Sequence, residues 1–126
     1  EADDEPGHMM SIYEIHRKFP ADGPAINGVR IKESFTRGYG DYMSSNGLST
    51  NYTTFVLENG DKFFTKGLTL GQADAAGKRS TISVNNIMGA TGKLAGMKGI
   101  LRGRGASDGK AGYNETTAEL EYWFEK

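Results

Sequence analysis

The chain has 126 residues, no cysteine and a formal net charge of -1, from 15 basic and 16 acidic side chains. This length predicts one domain with a single core, and the balanced charge gives no excess for a polyanion, so we expect no nucleic-acid partner. Without cysteine there is no disulfide, thiolate nucleophile or cysteine metal site, and because no apolar run approaches the ~18 residues of a transmembrane helix we expect no membrane partner.

The N-terminal stretch EADDEPGHMM has two interpretations. It is either a mature end left by signal-peptide cleavage, which makes the protein secreted or periplasmic, or a cloning remnant marked by GHM, which leaves the protein cytoplasmic. Under both interpretations we expect residues 1–8 to form a flexible tail and residues 9–126 to form a single domain.

From residue 9 onward, apolar and polar side chains alternate with the period of two that is typical of strands. Asn59-Gly60 separates two such segments and predicts a hairpin turn. The alternation predicts an all-β protein of about seven strands. The alternating segments are SIYEIHRKF, VRIKESFTRGY, STNYTTFVLE, DKFFTKGLTL, KRSTISVNNIM and NETTAELEYWFE.

The segment GATGKLAGMKGILRGRG, residues 89–105, contains closely spaced glycines and a lysine directly after Gly92. A phosphate-binding loop needs four residues between its glycines and then Lys followed by Ser or Thr, and this segment has neither feature. A soluble helix is disfavoured because each interior glycine costs roughly 1 kcal/mol relative to alanine. We therefore predict a short turn around Thr91–Ala95 and a strand from about Met97.

The same segment resembles the glycine-rich signature of the allene oxide cyclase and dirigent barrel superfamily, and the similarity extends over roughly residues 48–125. The resemblance implies a closed antiparallel up-and-down β-barrel of about eight strands, with a hydrophobic central cavity, no cofactor and a trimeric or dimeric state. It also implies a cyclase or isomerase acting on a small hydrophobic unsaturated molecule. The matching residues are Gly89, Thr91, Gly92, Lys93, Leu94, Gly96 and Gly99.

The segment from Val29 to Tyr39 contains the candidate catalytic residues Glu33, Arg37 and Tyr39. The alternation places them on the same face as Ile31, and if that face is the barrel interior, a carboxylate and a guanidinium lie in an apolar cavity. They would then pair with each other or with a ligand, because burying either charge alone is costly. The alternative is a structural salt bridge.

Four further residues are candidates for substrate binding: Tyr13, Phe35, Asn86 and Tyr122. Tyrosines on an apolar face offer a ring for packing and a hydroxyl for orienting a substrate, although a purely structural role is the alternative. Of the neighbouring Asn85 and Asn86, one must point inward and needs a hydrogen-bond partner.

We expect no metal site, because the two histidines, His8 and His16, do not form a ligand cluster. His16 shares a polar face with Glu14, which permits a general base oriented by a carboxylate, but a solvent-exposed histidine is the alternative.

Three functions remain open at this point. The first is a cofactor-free cyclase or isomerase, the second a non-catalytic barrel that binds a small hydrophobic molecule, and the third an oligomeric structural or interaction protein with a filled core. Both faces of the predicted hairpin at residues 52–70 carry large apolar side chains. One face would fill the core and the other would be exposed, so we expect a homo-oligomer, trimer or dimer, with this outer face at the contact.

Overall fold

The computed structural model describes residues 6–44, 46–108 and 110–125. Within these ranges the protein is all-β, as predicted, with one 3-10 turn at Gly92–Leu94. The strands in chain order are β1 His8–Lys18, β2 Ala25–Ile26, β3 Val29–Met43, β4 Asn46–Leu57, β5 Lys62–Ala73, β6 Lys78–Ala90, β7 Met97–Asp108 and β8 Tyr113–Phe124.

All strands belong to one antiparallel sheet with the order β1-β3-β4-β5-β6-β7-β8, and the short β2 pairs with β3. The prediction of a closed barrel is wrong, because β1 and β8 form the two edges of the sheet and no ladder joins them in the described part of the chain. Strand number gives a physical reason. Six antiparallel steps separate β1 from β8, so the two edges run in the same direction and closure would need a parallel ladder.

Tight turns set the register of the sheet. The predicted Asn59-Gly60 turn is confirmed: Gly60 has a φ of 90°, and the Leu57 N–H donates to the Asp61 carbonyl oxygen over 2.8 Å. A residue without a side chain adopts this left-handed conformation at little cost. The β5–β6 turn is held by Asp74, whose Oδ1 accepts the backbone N–H groups of Ala76 at 2.9 Å and Lys78 at 3.0 Å.

The sheet has an inner face, which carries the apolar core, and an outer face on the opposite side. One row of the inner face carries Tyr13, Gly38, Asn51, Gly67, Asn85, Leu101 and Leu120. The next row of the opposite, outer face carries Ile12, Tyr39, Thr50, Leu68, Val84, Arg102 and Glu119.

The apolar core lies on the inner face at the end of the sheet near β2 and the 3-10 turn. Phe55 stacks on Phe63 with ring centroids 4.6 Å apart, and Leu57 is fully buried beside them. The core consists of Ile26, Ile31, Leu57, Phe63, Ile87, Leu94 and Met97.

The glycine-rich segment helps to close this core. The prediction of a short turn followed by a strand from Met97 is confirmed, since the 3-10 turn spans Gly92–Leu94 and β7 starts at Met97. Leu94 is only 3% exposed and packs in the core. Asp61 accepts the Lys93 N–H at 3.2 Å and lies against Gly92, where a Cβ would overlap its carboxylate. A carboxylate of the chain itself therefore accepts the backbone N–H of Lys93.

Candidate functional site

The candidate catalytic residues lie on the outer face, opposite to the core. The expectation that Glu33, Arg37 and Tyr39 share the face of Ile31 is wrong, because the β3–β4 register shifts between Ile31 and Glu33. This irregularity moves every later residue of β3 to the other side of the sheet. Ile31 remains buried in the core.

Glu33 and Arg37 do not pair with each other. Glu33 Oε2 lies 3.0 Å from His16 Nε2, and the His16 ring stacks on Phe35 with centroids 4.3 Å apart. Arg37 Nε lies 3.2 Å from Glu14 Oε1, and the Arg37 side chain is 81% exposed. Both contacts join β1 to β3, and the Arg37–Glu14 pair lies in solvent, where an ion pair contributes ~0–1 kcal/mol. Their geometry is that of structural cross-strand pairs.

The candidate substrate-binding residues are spread over both faces. Phe35 and Asn86 lie on the outer face and are exposed. Tyr13 lies on the inner face, where its hydroxyl donates to Ser49 Oγ over 3.2 Å. Tyr122 packs against the core and meets Phe124 edge to face, with centroids 6.0 Å apart. The structure therefore keeps only Phe35 beside Glu33 and Arg37, whereas Tyr13, Asn86 and Tyr122 lie elsewhere on the sheet.

Away from the core, the inner face is polar. Its buried residues include Ser49, Asn51, Thr65 and Asn85, although the 3-10 turn is the only helical element that could cover the sheet in the described ranges. The sheet must therefore curl toward this face. Asn85 is the inward member of the Asn85–Asn86 pair, and its Oδ1, like Thr65 Oγ1, is buried without a protein partner. This polar surface differs from the hydrophobic cavity that the resemblance implies.

A cluster of exposed apolar side chains lies on the outer face of the three central strands. Two rows cross these strands: Leu48 is opposite Leu70 and Leu70 is opposite Ile82, while Leu68 is opposite Val84 in the next row. With Tyr52, these residues form what we call the apolar face. Each of the six is between 41 and 53% exposed. They are Leu48, Tyr52, Leu68, Leu70, Ile82 and Val84.

Charged residues border the apolar face on two sides. The Lys66 ammonium lies 5.5 Å from the centroid of the Tyr52 ring. On β7, Arg102 is paired in register with Val84, and its guanidinium reaches Glu121 of β8 over 3.3 Å. An apolar centre with a charged border is the arrangement found at protein interfaces.

Sequence reasoning identified only part of this surface. The hairpin pattern at residues 52–70 predicts large apolar side chains on both faces without showing which face points outward, and it does not include Ile82 and Val84. Their alternation with Ser83 in KRSTISVNNIM was the available signal. The alternation alone does not show that these two residues join the apolar face. That depends on the β5–β6 register, which places Ile82 beside Leu70 and Val84 beside Leu68.

Comparison of the chain with protein-family models, with curated proteins and with solved structures found no match. Among the described residues there is no group of three or more His, Asp or Glu side chains that could hold a metal ion. Within the same ranges, no helix has the length and apolar character needed to cross a membrane.

Proposed function

We propose that this protein is an interaction protein whose subunits self-associate through the apolar face. The observation that carries the proposal is the contiguous pair of aliphatic rows across β4, β5 and β6. This corresponds to the third function left open by the sequence, an oligomeric structural or interaction protein. A second copy is the partner we favour, because the charged border of the apolar face carries both signs and so selects no partner of a single opposite charge. The charged residues of this border are Lys66, Arg102, Arg104, Asp41 and Glu121.

The size of the apolar face supports this assignment. Its six side chains are each about half exposed and lie in adjoining rows of three neighbouring strands. The largest patch on a typical monomer is ~300–600 Å² and is often functional, while each partner in a standard interface buries ~800 Å². The exposed apolar neighbours Tyr39 and Met88 extend the surface toward that value.

The test is Leu68→Lys, examined by sedimentation velocity beside the wild-type protein. Leu68 lies in the middle of the apolar face and is already half exposed, so lysine should not disturb the folded subunit. We expect the variant to self-associate at least tenfold more weakly, because the contact would have to bury a lysine ammonium group without a partner. Thr117→Lys, an exposed outer-face position on β8, is the matched control and should behave like the wild type. Equal association of all three proteins would contradict the proposal.

The enzymatic function stays a prediction. Glu33 and Arg37 each have another partner, and the described part of the sheet encloses no barrel cavity around them. Its test is turnover of an unsaturated epoxide by the wild type and by Glu33→Gln. Turnover that this variant abolishes would favour the cyclase, and with it the proposed relationship to the allene oxide cyclase and dirigent superfamily.

Binding of a hydrophobic small molecule is a second candidate, favoured by one observation. A depression open to solvent lies on the apolar face, with Leu48, Leu70 and Ile82 along its wall and Lys66 at its border. A ligand with an apolar body and an acidic group would fit these residues. Binding of a fatty acid that Lys66→Met weakens, in a protein that remains monomeric, would favour this function over self-association.

A further inference from the structure

The two edge strands of the sheet are long but chemically different. β1 and β8 each present an unpaired backbone edge in the described structure, and such an edge is a template for pairing with another chain. Natural proteins protect edges with charged side chains. Whether each edge is protected can therefore be read from its side chains.

The β8 edge is protected by acidic residues. Glu115, Glu119 and Glu121 all project from the outer face of this strand, which they share with Thr117 and Trp123. In a two-fold antiparallel pair of β8 strands centred on any of residues 117–120, one of these glutamates lies opposite another. Like charges directly opposite each other are destabilising. The β8 edge therefore disfavours pairing with itself.

The β1 edge has the opposite character. Ile12 is 91% exposed, the largest exposure among the large hydrophobic residues described. Met9, Met10 and Ile15 on the same strand are also exposed. The acidic residue of the strand, Glu14, is already paired with Arg37. The central part of this edge thus carries exposed apolar side chains on both faces and no run of like charge.

We propose that the β1 edge pairs with β1 of a second copy in an antiparallel, two-fold arrangement centred on Ile12. This register places Ile12 opposite Ile12 of the second copy on the outer face, and Met9 opposite Ile15 of the second copy on the inner face. Met10 then faces Glu14. His8 and His16 lie opposite each other at the ends, and each already contacts a carboxylate, Asp41 at 2.6 Å and Glu33 at 3.0 Å.

Strand direction supports a second copy at this edge rather than closure by β8. If β1 paired with β8 of the same subunit, the two strands would form a parallel ladder in an otherwise antiparallel sheet. The same holds for β8 of another copy that runs in the same direction. A two-fold β1 pair continues the antiparallel pattern and uses the same surface twice, as isologous dimers do. This contact uses none of the six residues of the apolar face, which lie on β4, β5 and β6.

The absence of native cysteine permits a direct test by disulfide trapping. A residue on the two-fold axis faces its own copy with Cβ atoms ~4.5–5.5 Å apart, close to the range that a disulfide spans. We expect Ile12→Cys to form a covalent dimer under mild oxidation. Thr117→Cys, equally placed on the outer face of the β8 edge, is the control and should stay monomeric in a denaturing gel.

The variant Leu68→Lys separates this inference from the proposed function. Because the edge does not involve the apolar face, Ile12→Cys should crosslink to the same extent with and without Leu68→Lys. Crosslinking of Thr117→Cys at the rate of Ile12→Cys, or no crosslinking of Ile12→Cys in a protein whose far-UV circular dichroism matches the wild type, would overturn the edge pairing. If Ile12→Cys crosslinks in the otherwise wild-type chain but not in the presence of Leu68→Lys, the claim that the edge contact forms without the apolar face would be overturned.

Discussion

Replacing Leu94 by alanine tests whether the glycine-rich segment has a structural role. Leu94 is the buried residue of the 3-10 turn, and its side chain fills the end of the core next to Met97 and Phe63. Burying a leucine side chain contributes ~1.5–3 kcal/mol by transfer from water, and the cavity left by truncation raises the usual cost of Leu→Ala to ~2–5 kcal/mol. At 3% exposure we expect a loss of ~3 kcal/mol in the free energy of unfolding.

A loss of this size is large against a total stability of ~5–15 kcal/mol. For a domain of this length it corresponds to a fall of about 10–15 °C in Tm, measured by thermal denaturation monitored by circular dichroism. Lys93→Ala is the control, because the neighbouring Lys93 is exposed and its contact with Asp61 uses the backbone N–H. Its effect should stay within ~0.5 kcal/mol. Equal Tm values for the two variants would refute the structural role assigned to the segment.

Two further predictions concern stability. Gly67→Ala should lower the free energy of unfolding by more than 1 kcal/mol, because a Cβ at this position would overlap the Val84 carbonyl oxygen. Gly89→Ala is the control and should be nearly neutral, since the nearest atom to its Cβ would be 3.9 Å away. Similar urea midpoints for the two variants would contradict this prediction. Arg30→Met should cost ~1–3 kcal/mol because the Arg30 guanidinium binds a carboxylate and two backbone carbonyl groups. Arg37→Met, which breaks an exposed ion pair, should cost less than ~1 kcal/mol. An equal loss of stability in both variants would contradict the larger structural role assigned to Arg30.

The strands and turns were predictable because local chemistry determines them. Period-two alternation identified the long strands, and the Asn59-Gly60 turn identified a hairpin, since both signals depend on residues close in sequence. The turn and strand of residues 91–97 followed from the same kind of reasoning, because repeated glycines exclude a soluble helix whatever the rest of the chain does.

The faces of the strands were less predictable. A register shift between Ile31 and Glu33 reverses which side chains of β3 point to the core, and nothing in the alternation of that segment marks it. The candidate site built on Glu33, Arg37 and Tyr39 therefore lies on the outer face. The apolar face depends on the register among three strands, which local patterns do not supply.

Closure of the sheet depends on a still longer-range property, the number of long strands. The two-residue β2 is too short to serve as an eighth barrel strand and pairs only with the beginning of β3. Seven long strands remain, and their two edges run parallel to each other. The antiparallel all-β class was therefore accessible from the sequence, whereas the open edges were not.

The mass of the wild-type protein in solution tests the central claim of self-association most directly. Sedimentation equilibrium at micromolar concentrations should give a mass at least twice the 13.7 kDa of the chain, because each subunit exposes the apolar face and the β1 edge. A mass of one chain across the micromolar range would contradict both proposed contacts.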